Sequence, residues 1–296
     1  MSTLNKSTIN GVHFGPIKKI SLAPDNHHLL SLGSTDGIIN VIDFDEFEIS
    51  PDFNTASITD DQIFSFYSIE KKNSFIITDD GKQILDVNWP DISQTSKISE
   101  TDMPMTVLAA NSNGNLIAVS GEDPQVTIIN LENPEDQTPL FDNIKTVTYI
   151  GFGPVCQTLV TINEDGDIFT YSASDSYQEV KPHKIKVKTV LPGVCWSIDS
   201  QLLISDSEQK GIFHVFHFPS DGYTTGKFQS LGIITALSIS NSYLLAACDS
   251  SQKVVISQFS ENFIQNQQLP ILQIFDPKIQ PISTLFWVDN YLIAGD

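Results

Sequence analysis

Seven times along the chain a polar turn is followed by an apolar pair, and this repetition constrains the fold more than any other feature. The copies are His28-Leu29-Leu30, Ser74-Phe75-Ile76, Asn115-Leu116-Ile117, Thr158-Leu159-Val160, Gln201-Leu202-Leu203, Tyr243-Leu244-Leu245 and Tyr291-Leu292-Ile293. Their central residues lie 41 to 48 residues apart. Each copy has the same surroundings. An alternating stretch precedes it: Ile17–Ala23, Ile63–Ile69, Thr106–Ala110, Val147–Phe152, Gly193–Ile198, Ile234–Ile239 and Ile282–Val288. Another follows the first six: Ile38–Phe44, Gln83–Trp89, Gln125–Leu131, Asp167–Ser172, Ile212–Phe218 and Val254–Phe259. Period-two alternation over short runs predicts strands, since successive side chains of a strand point to opposite faces. Asp36-Gly37, Asp80-Gly81 and Asp165-Gly166 stand between second and third strands, where glycine supplies the positive φ that tight hairpins require. More polar fourth strands are expected at Asn54–Thr59, Ser96–Thr101 and Tyr177–Val187.

A unit of four short strands repeated every 40–45 residues is the signature of a β-propeller blade. No blade can bury both faces of its sheet alone, so consecutive blades must stack around an axis. The sequence therefore predicts an all-β, seven-bladed propeller occupying residues 1–296 as one domain. The N-terminal residues 1–14, and Ser7–Phe14 in particular, are expected to form an outer strand that closes the ring. The seventh unit lacks sequence for a third strand after Asp296. That predicts either a longer natural product or a last blade of three strands.

The repeat resembles that of WD-repeat propellers. The Gly-His and Trp-Asp dipeptides that name those repeats are absent, replaced at the strand ends by Asp43-Phe44, Asn88-Trp89 and Tyr171-Ser172. The resemblance thus implies that most His–Asp networks between blades are lost. A narrower resemblance, carried by blade order, is to the N-terminal propeller of the chromosome-transmission-fidelity (acidic nucleoplasmic DNA-binding) replisome adaptors. It rests on Leu29–Phe44, the irregular second blade ending Ile84–Asp91, Asn115–Leu131, and Gly193–Trp196 ahead of Leu202–Ile204. It implies a nuclear scaffold connecting helicase and polymerase. Vesicle-coat, ubiquitin-ligase and ribosome-assembly scaffolds share such repeats, and a propeller enzyme or small-ligand binder is a further alternative.

Composition narrows the partners. The net charge is -20, and all 16 basic residues are lysine. An acidic surface repels nucleic acid and anionic membrane and attracts basic partners. Without arginine the usual bidentate reader of guanine and phosphate is missing, so other proteins, those with basic segments first, are the expected partners, and direct nucleic-acid binding is not. No apolar run reaches the roughly 20 residues a spanning helix needs, and the first residues carry no secretory pattern. Nuclear or cytoplasmic residence is expected. Cys156, Cys195 and Cys248 are odd in number and far apart, which fits small buried thiols better than disulfides or zinc.

Candidate binding groups are the loop acids Asp60, Asp61, Asp79, Asp80, Glu122 and Asp123, which would attract a basic segment if the fold gathers them; scattered solvated charge is the plain alternative. The run Asp43-Phe44-Asp45-Glu46-Phe47-Glu48 is denser still. Lys184, Lys186 and Lys188 alternate along one expected outer strand, either as a docking stripe or as guards of an exposed sheet edge. His214 and His217 are three apart in a strand and so face opposite ways, unfit to share a metal. His27 and His28 are expected in a solvated turn. Asn163–Asp167 fits a hairpin turn better than a calcium loop. No nucleophile elbow, phosphate loop or dinucleotide fingerprint occurs. The expectation is binding rather than catalysis, with no cofactor and no metal.

Overall fold

The computed structural model describes residues 8–296, apart from 54, 144, 156–157, 174–175, 178–179, 183–192, 219–221, 230, 261–266 and 276–281. Its strands group in chain order. Blade 1 is β1 (Ile17–Leu22), β2 (His28–Gly33), β3 (Ile39–Asp43) and β4 (Glu48–Ile49); blade 2 is β5 (Ile63–Ile69), β6 (Ser74–Asp79), β7 (Gln83–Asn88) and β8 (Thr95–Glu100). Blade 3 is β9 (Met105–Ala110), β10 (Leu116–Gly121), β11 (Val126–Asn130) and β12 (Asn133–Leu140); blade 4 is β13 (Val147–Phe152), β14 (Leu159–Asn163), β15 (Ile168–Tyr171) and β16 (Val180–Pro182). Blade 5 is β17 (Val194–Trp196), β18 (Gln201–Ser205), β19 (Ile212–His217) and β20 (Gly222–Lys227), joined in parallel by β24 (Gln267–Gln268). Blade 6 is β21 (Ile234–Ile239), β22 (Leu244–Asp249), β23 (Val254–Gln258) and β25 (Ile271–Phe275). A two-stranded sheet, β26 (Thr284–Val288) and β27 (Tyr291–Gly295), follows.

The fold is an all-β, WD-repeat-like propeller, with six blades rather than the seven expected. Among the described residues the seventh unit is a hairpin, where a blade of three strands was the alternative expected. Two further expectations need correction. Asn54–Thr59 is not the fourth strand of blade 1; that role falls to the short β4, and Thr55–Ser57 forms a turn of 3-10 helix. Of the expected closing strand, residues 1–7 lie outside the described residues and residues 8–14 form no strand. Instead Ile9 and Val12 pack in the apolar cluster that joins β26–β27 to blade 1.

The packing follows from the alternation. The second strands of the six blades are almost wholly buried, and their side chains point alternately to the two neighbouring blades. Ile117 and Val119 enter the cluster shared with blade 2, whereas Ala118 between them enters the cluster shared with blade 4. Similar clusters join blades 1 and 2, 4 and 5, 5 and 6, and blade 6 with the hairpin. The ring closes where Ile17 donates its amide to Asp296 O (2.8 Å) and Ser283 Oγ donates to Ile17 O (2.6 Å).

Candidate protein-binding face

Antiparallel order fixes which loops share a face. In every blade the first strand starts, and the second ends, on one side of the ring. The loops between blades and the second-to-third turns therefore share that side, here named the entry face. The first-to-second and third-to-fourth turns share the opposite, exit face.

On the entry face one device recurs: a side-chain oxygen at the second-to-third turn accepts amides from its own turn. In blades 1, 2 and 6 it also accepts a donor from the loop leading into the blade. In blade 1, Asp36 accepts from Phe14 N (3.1 Å), Ile38 N (3.2 Å) and His13 Nδ1 (3.0 Å), while His13 Nε2 lies 3.0 Å from Ser31 Oγ. In blade 2, Asp79 accepts from Thr59 Oγ1 (3.1 Å) and Gln83 N (2.9 Å). Asn163 accepts from Asp165 N and Asp167 N in blade 4, so residues 163–167 form the hairpin turn expected. Asp206 accepts from Glu208 N and Gln209 N and lies 3.3 Å from His214 Nε2. Asp249 accepts from Gly232 N (2.7 Å), Ser251 N and Lys253 N. Burial works against the charge on Asp36, Asp206 and Asp249, but these hydrogen bonds outweigh it and hold each carboxyl below the ordinary range. The loss of His–Asp networks implied by the resemblance is therefore incomplete: blades 1 and 5 each keep one. The signal for the first was Gly11-Val12-His13, a Gly-His pair with one residue inserted, 23 residues before Asp36.

The predicted acids divide between two roles. Asp79 is buried and belongs to this capping device. Asp60, Asp61, Asp80, Glu122 and Asp123 are exposed on the entry face of blades 2 and 3, where Asp102 joins them. Their loops interlock. Ile63 N donates to Gly37 O (2.9 Å), Asp80 N to Gln62 O (2.9 Å) and Thr101 N to Lys82 O (2.9 Å). Gly37 is held at φ 62°, and a Cβ there would stand 1.9 Å from Gln62 Cγ, so a larger residue would be strained and would have to displace the Gln62 side chain. The Asp61 carboxylate lies over Gly81, and Gly121 lies against Pro104 O. Residues 60–62, 80–82, 101–104 and 121–125 thus form one continuous surface with six exposed acids and a single lysine, Lys82. Lys184, Lys186 and Lys188 lie outside the described residues, as does Cys156.

The first strands approach one another around the axis and line it. Lys18 Nζ donates to Phe64 O (2.6 Å), and Lys19 Nζ to Phe66 O (2.7 Å), the free inner edge of blade 2. Lys19 also lies 5.3 and 5.0 Å from the Phe66 and Tyr67 ring centroids. Burial, then the charge of Lys18, pushes its ammonium pKa down to about 8. Burial pushes the Cys195 thiol up to about 12, away from reactive thiolate character.

The histidines resolve simply. His214 bonds Asp206 on one face of β19, and His217 Nε2 lies 3.1 Å from Thr224 Oγ1. His27 is exposed, but His28 is not in a solvated turn: its Nδ1 lies 2.8 Å from Asp25 Oδ2, and its ring packs on Phe53 and Trp89, which stack at 4.7 Å. No group of three or more potential metal ligands occurs among the described residues, and no helix is long and apolar enough to cross a membrane.

The architecture is that of an all-β, WD-repeat-like propeller. No family model matches the chain, and no curated protein does. Among solved structures it is similar to U3-55K, at TM-score 0.72 and 16% identity over 95% of this chain and 88% of that one. It is also similar to the WD40 repeats of RRP9, at TM-score 0.74 and 14% identity over 95% and 87%. At these identities the likeness is one of fold.

Proposed function

We propose that the chain is a protein-interaction scaffold whose entry face, over blades 2 and 3, takes a lysine- or arginine-rich segment of another protein. The observation that carries this reading is the continuous surface of Asp60, Asp61, Asp80, Asp102, Glu122 and Asp123 around the lone Lys82. Hydrogen bonds between consecutive loops hold it in place, so little ordering cost falls on binding, and like charges gathered on one face create a field that a basic segment neutralises. The similarity to U3-55K and the RRP9 WD40 repeats favours the ribosome-assembly setting over the replisome one, for which the comparisons offer no support.

The test is titration with a lysine-rich peptide across a salt series. Affinity should fall steeply with salt, because exposed charges are screened within about 8 Å at physiological ionic strength. A variant with Asp60, Asp61 and Asp80 changed to Asn should lose about tenfold in affinity, equal to about 1.4 kcal/mol. Affinity indifferent to salt, or unchanged in the variant, would refute the assignment of this face.

A further inference from the structure

A cleft of about 400 Å³ opens on the exit face between blade 6 and the hairpin β26–β27. This lies within the roughly 300–1,000 Å³ of small-ligand pockets. Two turns form its rim: Ser240-Asn241-Ser242 between β21 and β22, and Asp289-Asn290 between β26 and β27. Both are held in shape. Ser240 Oγ accepts from Leu244 N (3.0 Å) and lies 3.0 Å from Ser242 Oγ. Asp289, at φ 48°, helps turn the chain from Val288 straight to its pairing partner Tyr291. Ile239 and Trp287 supply the apolar wall. Trp287 packs on the core shared by blade 6 and the hairpin, and its Nε1 donates to Ser238 O (3.2 Å), which fixes the ring across β21. The polar groups are uncommitted. Among the described residues the side chains of Asn241, Asp289 and Asn290 make no hydrogen bond or ion pair. A carboxylate, two carboxamides and an indole thus line one space with no cation among them.

We infer that this cleft takes the guanidinium of an arginine side chain presented by a partner protein. A guanidinium is flat, stays charged and carries its N–H donors in a fixed fork. It stacks on an indole, pairs both oxygens of a carboxylate at once and keeps donors for the carboxamide oxygens. A lysine ammonium has no flat face and fewer donors, so it satisfies fewer of these groups. The setting favours a cation over a neutral ligand such as a sugar. Tyr291, next to Asn290, contacts Phe44 at 5.3 Å between ring centroids, and Phe44 stands among Asp43, Asp45, Glu46 and Glu48. These acids draw a guanidinium toward the cleft and do nothing for a sugar. The site lies across the thickness of the ring from the entry-face acids, and the inference is independent of the reading given to them.

The probe is N-acetylarginine amide, whose side chain carries its sole charge, titrated against the intact isotope-labelled chain by NMR. The chain has three tryptophans, and the indole N–H signal of Trp287 is identified by its loss in Trp287→Phe. That signal should shift saturably while the other two stay in place. The neutral citrulline analogue should bind at least about tenfold more weakly, and the lysine analogue at least about threefold. Asp289→Asn keeps a residue that tolerates the left-handed backbone and should weaken binding about tenfold. The variant with Asp60, Asp61 and Asp80 changed to Asn should bind within about twofold of the unaltered chain, since those acids lie beyond the screening distance. No saturable shift, as a cleft filled by the chain itself would give, overturns the proposal. So does equal binding of the citrulline or lysine analogue, unchanged affinity in Asp289→Asn, or a matching loss in the entry-face variant. Free L-arginine binding about tenfold tighter than the amide would overturn it in favour of a free amino acid.

Discussion

Removing the Asp36 carboxylate should destabilise the protein far more than removing an acid at the matching turn of blade 3. Asp36 accepts three donors: the backbone amides of Phe14 and Ile38 and the ring of His13, whose side chain is 1% exposed. In Asp36→Ala the two amides lie near solvent and can turn to water, at about 0.5 kcal/mol each, but the buried His13 nitrogen loses a charged partner at about 2 kcal/mol. The expected loss is about 3 kcal/mol, a large share of the roughly 5–15 kcal/mol that stabilises a folded domain. Asp123 is exposed and accepts the single amide of Gln125, so Asp123→Ala should cost about 1 kcal/mol or less. Urea unfolding of both variants, with equal m-values, measures the gap. Its pH dependence has a definite sign. The Asp36 pKa is depressed on folding, so its contribution is complete above the unfolded value of about 3.9 and fades as pH falls through the lower folded value. A gap that vanishes at pH 7, or is unchanged at pH 3, would refute the assignment of Asp36 as the acid that ties the incoming loop to blade 1.

Two further outcomes follow from other parts of the ring. Trp89→Ala should destabilise by about 3–5 kcal/mol, because it removes a buried indole that stacks on Phe53 and packs on His28 and Phe75; thermal and urea unfolding would show it, and a loss under 1 kcal/mol would mean that the neighbouring rings repack without it. Lys19 binds its proton less tightly in the folded state than in the unfolded one, so the unfolded chain holds more protons between about pH 8 and the ordinary lysine value, and stability should rise across that window. Lys19→Met should remove this rise, and denaturant midpoints for the two proteins that keep a constant difference from pH 7.5 to 10 would contradict the burial of the ammonium group.

The strand pattern was legible because burial on both faces leaves a period-two apolar code that local sequence cannot disguise. Leu29, Phe75, Leu116, Leu159, Leu202 and Leu244 all fall in second strands as the spacing implied. The short outer strands were less legible, for they are polar and only half-packed. Residues 55–57 carry the same composition as a rim strand yet coil into 3-10 geometry, because Ile58 turns inward to the cluster between blades 1 and 2. The closing segment was misread for a related reason. Ile9 and Val12 alternate poorly but pack well, and the segment is held by the side chains of His13 and Asn40 rather than by a sheet ladder. Those two bonds join residues more than twenty positions apart, and of the two only the first left a local trace, the interrupted Gly-His pair of Gly11-Val12-His13.

The acidic composition conceals a division of labour that only the fold reveals. Asp36, Asp79, Asp206 and Asp249 are tied to the turns by amide, hydroxyl or imidazole donors and are fully or largely withdrawn from solvent. They contribute charge to the total but little to any binding surface, since their lone pairs are already engaged. Asp60, Asp61, Asp80 and Glu122 lie in the entry-face loops as well, but they are exposed and carry the opposite consequence. Asp79 and Asp80 are adjacent, but Asp79 is the buried last residue of β6, whereas Asp80 opens the turn and faces water. Neutralising the first group would loosen the loops that display the second. Partner affinity should therefore respond to both sets of substitutions, but thermal stability chiefly to the buried one. That asymmetry separates a displayed carboxylate from a structural one at each entry-face position, which net charge cannot do.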